Sequence, residues 1–247
     1  MLTSMQVIIM KTIPKVLLTA AAALGLGTAA HADLTLNGAS GMFLNPDARI
    51  NGSLVPQVQA NYNDLGDGAK SYGIYGAYSL TGKTEVGAGI GHLDTGGDSR
   101  SGFAVNIKQS LLGVPGVGTH VALGAGYDDI HFANLYGYVA ATQDLGSKIG
   151  GHPLAATLGL RWDRFGKEID STKASIYGGI DYGISDKLHL IGELQSRNTK
   201  YDTPSPYAIG IRYSASHGIT LGAGIQRTGW DGDSGRFFLQ AGYKFGR

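Results

Sequence analysis

The chain has no cysteine among its 247 residues. Without thiols it can form no disulfide framework, no thiolate metal site and no cysteine nucleophile. A lipoprotein anchor is excluded as well, because that anchor is attached to a cysteine at the cleavage point. Disulfide-rich secreted scaffolds and thiol enzymes are therefore excluded.

Charge is also scarce, since Asp, Glu, Lys and Arg together make up 16% of the chain and the formal net charge is +1. Removing residues 1–32 takes away Lys11 and Lys15 and no acid, which leaves 18 basic residues against 19 acidic ones. Nucleic-acid binding usually requires a concentrated basic face. The composition therefore predicts no nucleic-acid partner.

Long apolar runs are missing except near the start. Lys11 and Lys15 precede an apolar run from Val16 to Leu26, and Ala30-His31-Ala32 forms a small-x-small cleavage site. A run of about fifteen residues is shorter than the roughly twenty of a membrane helix, so we predict a signal peptide over 1–32, cleaved after Ala32. Met10 or Met5 is the expected initiator. A mature chain that sits in a membrane must then be a closed barrel.

What the chain does have is 40 glycines, 13 tyrosines and an apolar–polar alternation of period two. The clearest alternating segment is 236–246, and its length suits a tilted membrane strand. We predict an all-β, transmembrane, antiparallel up-and-down β-barrel of about 12 strands over 51–247, expected to be a monomer. The predicted strands are 54–63, 71–80, 84–93, 101–112, 119–127, 132–142, 154–163, 172–183, 187–197, 206–215, 218–227 and 236–246.

Connections between these segments alternate between tight turns and longer polar loops, as in bacterial outer-membrane barrels. With that topology, aromatic residues form one lipid-facing ring at each end of the strands. The external ring is Tyr62, Tyr72, Tyr127, Phe132, Trp162 and Tyr207, and the periplasmic ring is Tyr78, Tyr182, Tyr213, Tyr243 and Phe245. A soluble β-sandwich or lipocalin-like barrel is the alternative, but two such rings favour contact with outer-membrane lipid.

The inward set is rich in Gly, Ala, Ser, Thr and Gln. Its charged and titratable members are Glu85, Lys108, Arg161, Asp181, His189, Glu193, Arg212 and Lys244. We predict that His189 faces Asp181, and that Glu193, Arg212, Thr220 and Lys244 form a polar row at one height. That row is either a selectivity ring of an aqueous pore or a set of cross-strand ion pairs.

The segment 33–50 precedes the first strand and leaves two possibilities open. It tucks into the lumen as a plug, or it forms an extra short strand. Gly38-x-x-Gly41 followed by Pro46-x-Ala48 resembles the opening of YjbH-like outer-membrane barrels associated with exopolysaccharide, although Asp47 departs from the threonine expected there. The end of the chain, Tyr243 to Arg247, resembles the final strand read by barrel-assembly machinery and departs from it in ending Gly-Arg.

Catalysis is not predicted. His92 with Ser99 or Ser101 is the best nucleophile–base pair for a lipid hydrolase or acyltransferase, but the chain has no Gly-x-Ser-x-Gly elbow. Metal-ligand spacings are missing from the sequence, and no cofactor is predicted. The sequence thus favours a porin-like channel for small polar solutes. Its rivals are a closed structural or assembly barrel and, less favoured, a lipid-modifying enzyme.

Overall fold

The computed structural model describes residues 34–50, 56–114, 117–131, 133–145, 152–166, 171–197, 204–229 and 236–245. The predicted signal peptide with its cleavage site at Ala32, and Phe132 of the predicted external ring, lie outside the described residues.

Twelve β-strands account for most of the described chain, which confirms the predicted fold class and strand number. One 3-10 turn at Ser216–Gly218 is the other regular element within the described ranges, which contain no helix long and apolar enough to span a membrane. The strands are β1 Gln57–Gly66, β2 Ala69–Thr81, β3 Thr84–Asp94, β4 Ser99–Val114, β5 Val117–Asp128, β6 Asn134–Asp144, β7 Leu154–Phe165, β8 Thr172–Gly183, β9 Leu188–Gln195, β10 Tyr207–Ser214, β11 Ile219–Arg227 and β12 Arg236–Lys244.

Each strand pairs antiparallel with the next, and β12 returns to β1 through the pair Gln57↔Lys244. The sheet is thereby a closed barrel. Closure satisfies the backbone groups that an open edge strand would expose. This removes the main obstacle to placing a sheet in lipid.

The two ends of the barrel differ. At the short-turn end, which includes 82–83, 184–187 and 215–218, strands are joined by tight connections, with the longer 145–153 as an exception. At the long-loop end the connections include 95–98, 166–171, 196–206 and 228–235, and the tight turn Asp67-Gly68 also lies there. That turn is shorter than the gap between the predicted strands, because Asp67 and Gly68 both adopt left-handed φ angles, 51° and 82°.

The outward face is apolar along every strand. Large side chains such as Ile90 and Leu158 remain 67% and 63% exposed, which a soluble protein would avoid over so continuous a surface. The described members of the two predicted aromatic rings alternate with buried neighbours and lie on this same outward face. Some contact each other, as Tyr62 does Phe237 and Tyr243 does Phe245.

Candidate functional site

The interior of the barrel is the candidate site, because its inward face carries nearly all the buried polar residues. The structure places all eight predicted lumen residues there: Glu85, Lys108, Arg161, Asp181, His189, Glu193, Arg212 and Lys244. Glu85 and Lys108 are fully buried. The alternation of period two was sufficient to assign each of them to the inward face.

Large aromatic side chains also face inward, and the predicted inward set did not contain them. Each lies directly opposite a glycine of the neighbouring strand, and the ring covers that glycine. The pairs are Tyr75↔Gly89, Tyr136↔Gly126, Tyr138↔Gly124, Tyr177↔Gly159 and Phe238↔Gly224. A Cβ at Gly159 would lie 2.1 Å from the Tyr177 ring. Five of the 40 glycines therefore make room for inward rings.

Residues 34–50 fill the middle of the lumen. Leu34 and Phe43 are fully buried, and Phe43 packs on the inward ring of Phe238 with 4.6 Å between ring centroids. Within this segment the pairing is limited to two isolated bridges, Leu34↔Ser40 and Gly41↔Pro46, so it adds no strand to the barrel. We refer to residues 34–50 as the inner segment.

Glu193 holds the centre of the inner segment. Its carboxylate accepts the backbone N–H groups of Phe43 at 2.7 Å, Leu44 at 2.6 Å and Asn45 at 3.0 Å. The Asn45 side-chain amide donates a further hydrogen bond of 3.0 Å. Hydrogen bonds to a charged acceptor are stronger than neutral ones, and here they offset part of the cost of burying the carboxylate.

Cationic side chains bind the carbonyl groups of the same segment. Arg212 donates to Gly41 O at 3.2 Å and to Met42 O at 2.9 Å. Lys108 donates to Ser40 O at 2.9 Å and to Arg49 O at 2.8 Å. Most of these partners are main-chain atoms. The lumen charges therefore bind the backbone of the inner segment rather than its side chains.

Towards the short-turn end, the inner segment finishes in an ion-pair cluster. Arg49 lies 2.7 Å from Asp47 and 3.0 Å from Asp181. Burial by itself lowers the pKa of the Arg49 guanidinium, but the Asp47 and Asp181 carboxylates outweigh it and hold that pKa above its ordinary value. His189 contacts Asp181 at 2.7 Å, so the predicted pair is in contact. The two are diagonal neighbours rather than directly opposite, since Asp181 pairs with Ile191.

The predicted polar row across the last four strands is wrong. Glu193 lies opposite Ala208, and Arg212 lies opposite His189 on one side and Gly222 on the other. Thr220 lies opposite Gly242 rather than Lys244. Every predicted pairing is displaced by an even number of residues, which keeps each side chain on its predicted face. Periodicity determines the face of each side chain, but loop length and turn geometry determine the register. The 3-10 turn at Ser216–Gly218 joins β10 to β11, where the predicted pairing of Arg212 with Thr220 differs from the one observed.

The long-loop end of the lumen opens into a cavity of about 390 Å³, here called the vestibule. Leu36 and Leu44 of the inner segment lie in its lining. Arg161 also lines it, bound to Asp163 at 2.8 Å and lying 4.3 Å from the centre of the Tyr136 ring. The other polar lining residues are Asn37, Asn63, Asp67, Thr95, Asp128, His131, Asn134, Lys173, Gln195, Gln226 and Thr228.

The candidate nucleophile–base pair lies elsewhere, on the outward face. His92 Nδ1 is 2.9 Å from Ser101 Oγ, and the imidazole packs against the Tyr72 ring at 5.1 Å. Ser99 lies opposite Asp94 and makes no such contact with His92. Within the described residues, nothing orients the other imidazole nitrogen, and no three His, Asp or Glu groups come together as a metal site.

The fold is similar to that of known porins. Over 77% of this chain and 99% of the other, the structure matches "KdgM porin" with a TM-score of 0.57 and 11% identity. A second structure, "KdgM porin in complex with disordered oligogalacturonate", matches with a TM-score of 0.54 and 10% identity over 78% and 99% of the two chains. "NanC porin" matches with a TM-score of 0.55 and 13% identity over 78% and 100%.

No protein-family model matches the chain, and no curated protein is similar to it in sequence. At these identities the likeness to the porins shows a shared fold. The resemblance of the Gly38–Ala48 stretch to YjbH-like barrels stays a prediction.

Proposed function

We propose that this chain is an outer-membrane, porin-like channel for small polar solutes, with no catalytic activity, and that residues 33–50 close its lumen as a plug. The observation that carries the proposal is the binding of three successive inner-segment N–H groups by the buried Glu193 carboxylate. The polar lumen, the apolar outward face and the fold shared with the KdgM and NanC porins support it.

The contacts of the inner segment suit a plug that leaves and returns. Side-chain hydrogen bonds to its backbone exchange for bonds to water at a net loss of only about 0.5–1.5 kcal/mol each, or somewhat more for charged groups. Lumen charges exposed by its departure are rehydrated rather than left in a dry interior. Because each contact contributes little net free energy, we expect a channel that the plug closes at rest and that opens when the plug leaves.

The first experiment compares single-channel conductance of residues 33–247 with that of a variant lacking 33–50, both refolded into planar bilayers. We expect rare openings from the longer chain and long-lasting conductance steps from the shorter one. Silence from both would contradict the channel and favour the closed structural or assembly barrel.

A reversible tether tests the plug without deleting it. Ala48 N donates to Thr142 Oγ1 at 2.9 Å, so A48C and T142C bring two thiols together in a chain that has no other cysteine. Oxidation should abolish the openings and reduction should restore them, while each single-cysteine variant serves as the control. Equal conductance in the oxidised and reduced forms would mean that the inner segment does not gate the lumen.

A further inference from the structure

Two histidines of the barrel wall share their carboxylate partners with Arg49 of the inner segment. His120 on β5 lies 2.9 Å from one oxygen of Asp144, and His189 on β9 lies 2.7 Å from one oxygen of Asp181. The Arg49 guanidinium lies 4.0 Å from the other Asp144 oxygen and 3.0 Å from the other Asp181 oxygen. It therefore bridges the two histidine–carboxylate pairs.

The other charges that face these histidines belong to the barrel wall. Arg212 on β10 lies directly opposite His189. On β4, the charged residue nearest to His120 in the register is Lys108, which pairs with Gly124 four residues further along β5. Both cations stay in the wall when the inner segment leaves, so they do not distinguish the closed lumen from the open one.

The inner segment brings one further charge besides Arg49. Arg49 Nε donates to one carboxylate oxygen of Asp47 at 2.7 Å, and the other oxygen lies 3.8 Å from the buried ammonium group of Lys108. Because Lys108 opposes Asp47, the inner segment acts on the two histidine pairs mainly through the Arg49 guanidinium.

Protonation of the histidines changes how strongly the wall holds that guanidinium. A neutral imidazole donates one N–H to its carboxylate and leaves the negative charge available to Arg49. An imidazolium neutralises the carboxylate and repels the guanidinium across it. Histidine is the side chain that ordinarily changes charge between about pH 5 and 8, so mild acid should weaken the docking of the inner segment.

Hydration acts in the same direction as this repulsion. The His120 side chain is only 4% exposed in the closed lumen, where an imidazolium loses most of its contact with water. Departure of the inner segment admits water to the lumen face of both histidines. Protons therefore bind more readily in the open state, and by linkage they favour that state.

We propose that His120 and His189 release the inner segment from the lumen when they take up protons, so that mild acid opens the channel. The proposal rests on the proposed function, because it names the signal that moves the plug. Hydrogen exchange of the inner segment reports its release even in a chain that does not conduct, so the two proposals can fail separately.

The first measurement follows amide hydrogen exchange of residues 34–50 in detergent-solubilised residues 33–247 at about pH 7.5 and about pH 5.5. Each rate is divided by the intrinsic rate of an unfolded peptide at the same pH. Each imidazolium should favour release about threefold, as expected of a partly solvated charge pair, so the corrected rate should rise about tenfold in acid.

The test variant is H120Q/H189N, which keeps a side-chain amide donor near each histidine nitrogen but cannot be protonated. It should lose the rise in exchange rate. R49M should lose most of it, because no guanidinium is left to repel. The controls are H92Q on the outward face and H131Q at the vestibule, which remove histidines outside the Arg49 cluster and should keep the full rise.

Single-channel recordings over the same pH range complete the test, and the open probability should rise about tenfold in acid for the unaltered chain only. An exchange rate that acid leaves unchanged, or a rise retained in H120Q/H189N, would overturn the proposal. A rise that persists in that variant and disappears in E193Q would assign the response to Glu193 instead. Faster exchange in acid by a chain that never conducts would remove the channel and leave the proton response, and conductance with no response to acid would do the reverse.

Discussion

At mid-height the lumen is filled, whereas at the long-loop end it widens into the vestibule. In the filled region, Glu193, Lys108 and Arg212 all bind main-chain atoms of the inner segment. In the vestibule, Lys173 has no such partner within the described residues, and Arg161 pairs with a wall carboxylate. Both regions are built from the same alternating strands.

The difference shows that inward charges serve two purposes in one barrel. Where the chain returns into the lumen, charges satisfy its backbone groups and are themselves satisfied. In the vestibule, which the inner segment does not fill, the inward charges line the cavity instead. Substitutions that loosen the filled region without altering the vestibule test this division, and open probability in single-channel recordings measures it.

The largest effect is expected from F43A. Phe43 is fully buried against Phe238, and Arg212 lies 5.1 Å from its ring centre. Losing a buried phenylalanine costs about 3 kcal/mol, so the open probability should rise about a hundredfold. L158A, which removes an equally apolar side chain from the outward face, is the control and should leave gating unchanged. An unaltered open probability in F43A would contradict the docking of this ring.

A smaller effect is expected from E193Q. The neutral amide keeps the shape but loses the charge that accepts the N–H groups of Phe43, Leu44 and Asn45. A loss of about 2 kcal/mol raises the open probability roughly thirtyfold. D128N is the control, because Asp128 is a lumen carboxylate whose hydrogen bonds lie outside the inner segment. Equal responses of the two variants would mean that general lumen charge, not this anchor, sets the closed state.

G159A should act through a neighbouring strand. A Cβ there displaces the Tyr177 ring, whose hydroxyl donates to Pro46 O of the inner segment at 2.9 Å. Overpacking of this kind costs about 1–3 kcal/mol, part of which falls on the barrel itself. We expect an approximately fivefold rise in open probability and a lower unfolding temperature. G192A is matched to it, since a Cβ at Gly192 meets nothing within 4 Å, and should change neither measurement.

The smallest effect is expected from R49M at the short-turn end of the inner segment. Arg49 is about a quarter exposed, with 27% of its side chain accessible, so solvent weakens its pairs with Asp47 and Asp181. A change of about 1 kcal/mol or less gives an open probability up to fivefold higher, and salt should diminish the difference. K70M, which breaks the Lys70–Asp94 pair on the outward face, is the control. A rise in open probability larger than that of E193Q would contradict the expectation that Arg49 contributes least to the closed state.

Strand positions could be predicted closely because membrane strands leave a local signal. The predicted 172–183 coincides with β8 Thr172–Gly183, and other strands differ from prediction by a few residues at their ends. Inward and outward faces follow from the same alternation, which is why Glu193 and Arg212 were assigned to the lumen before their partners were known.

The partners were not predictable in the same way. The predicted row placed Glu193 level with Arg212, but β9 and β10 pair in a different register, and the partners of Glu193 lie about 150 positions earlier in the chain. Inward Tyr136, Tyr138 and Tyr177 were overlooked because no local pattern distinguishes a ring that covers a cross-strand glycine from one that faces lipid. A search for aromatic residues opposite glycine in each candidate register would have found them.

By itself, the sequence determined the class of fold, the approximate twelve strands and the face of each side chain, because these depend on a two-residue period along short stretches. Only the tertiary structure decided the register, the course of the inner segment through the lumen and the separation of a filled region from the vestibule. Those features depend on hydrogen bonds between residues far apart in the chain. Such bonds exist only where the closed barrel brings distant parts of the chain together, which no local pattern in the sequence specifies.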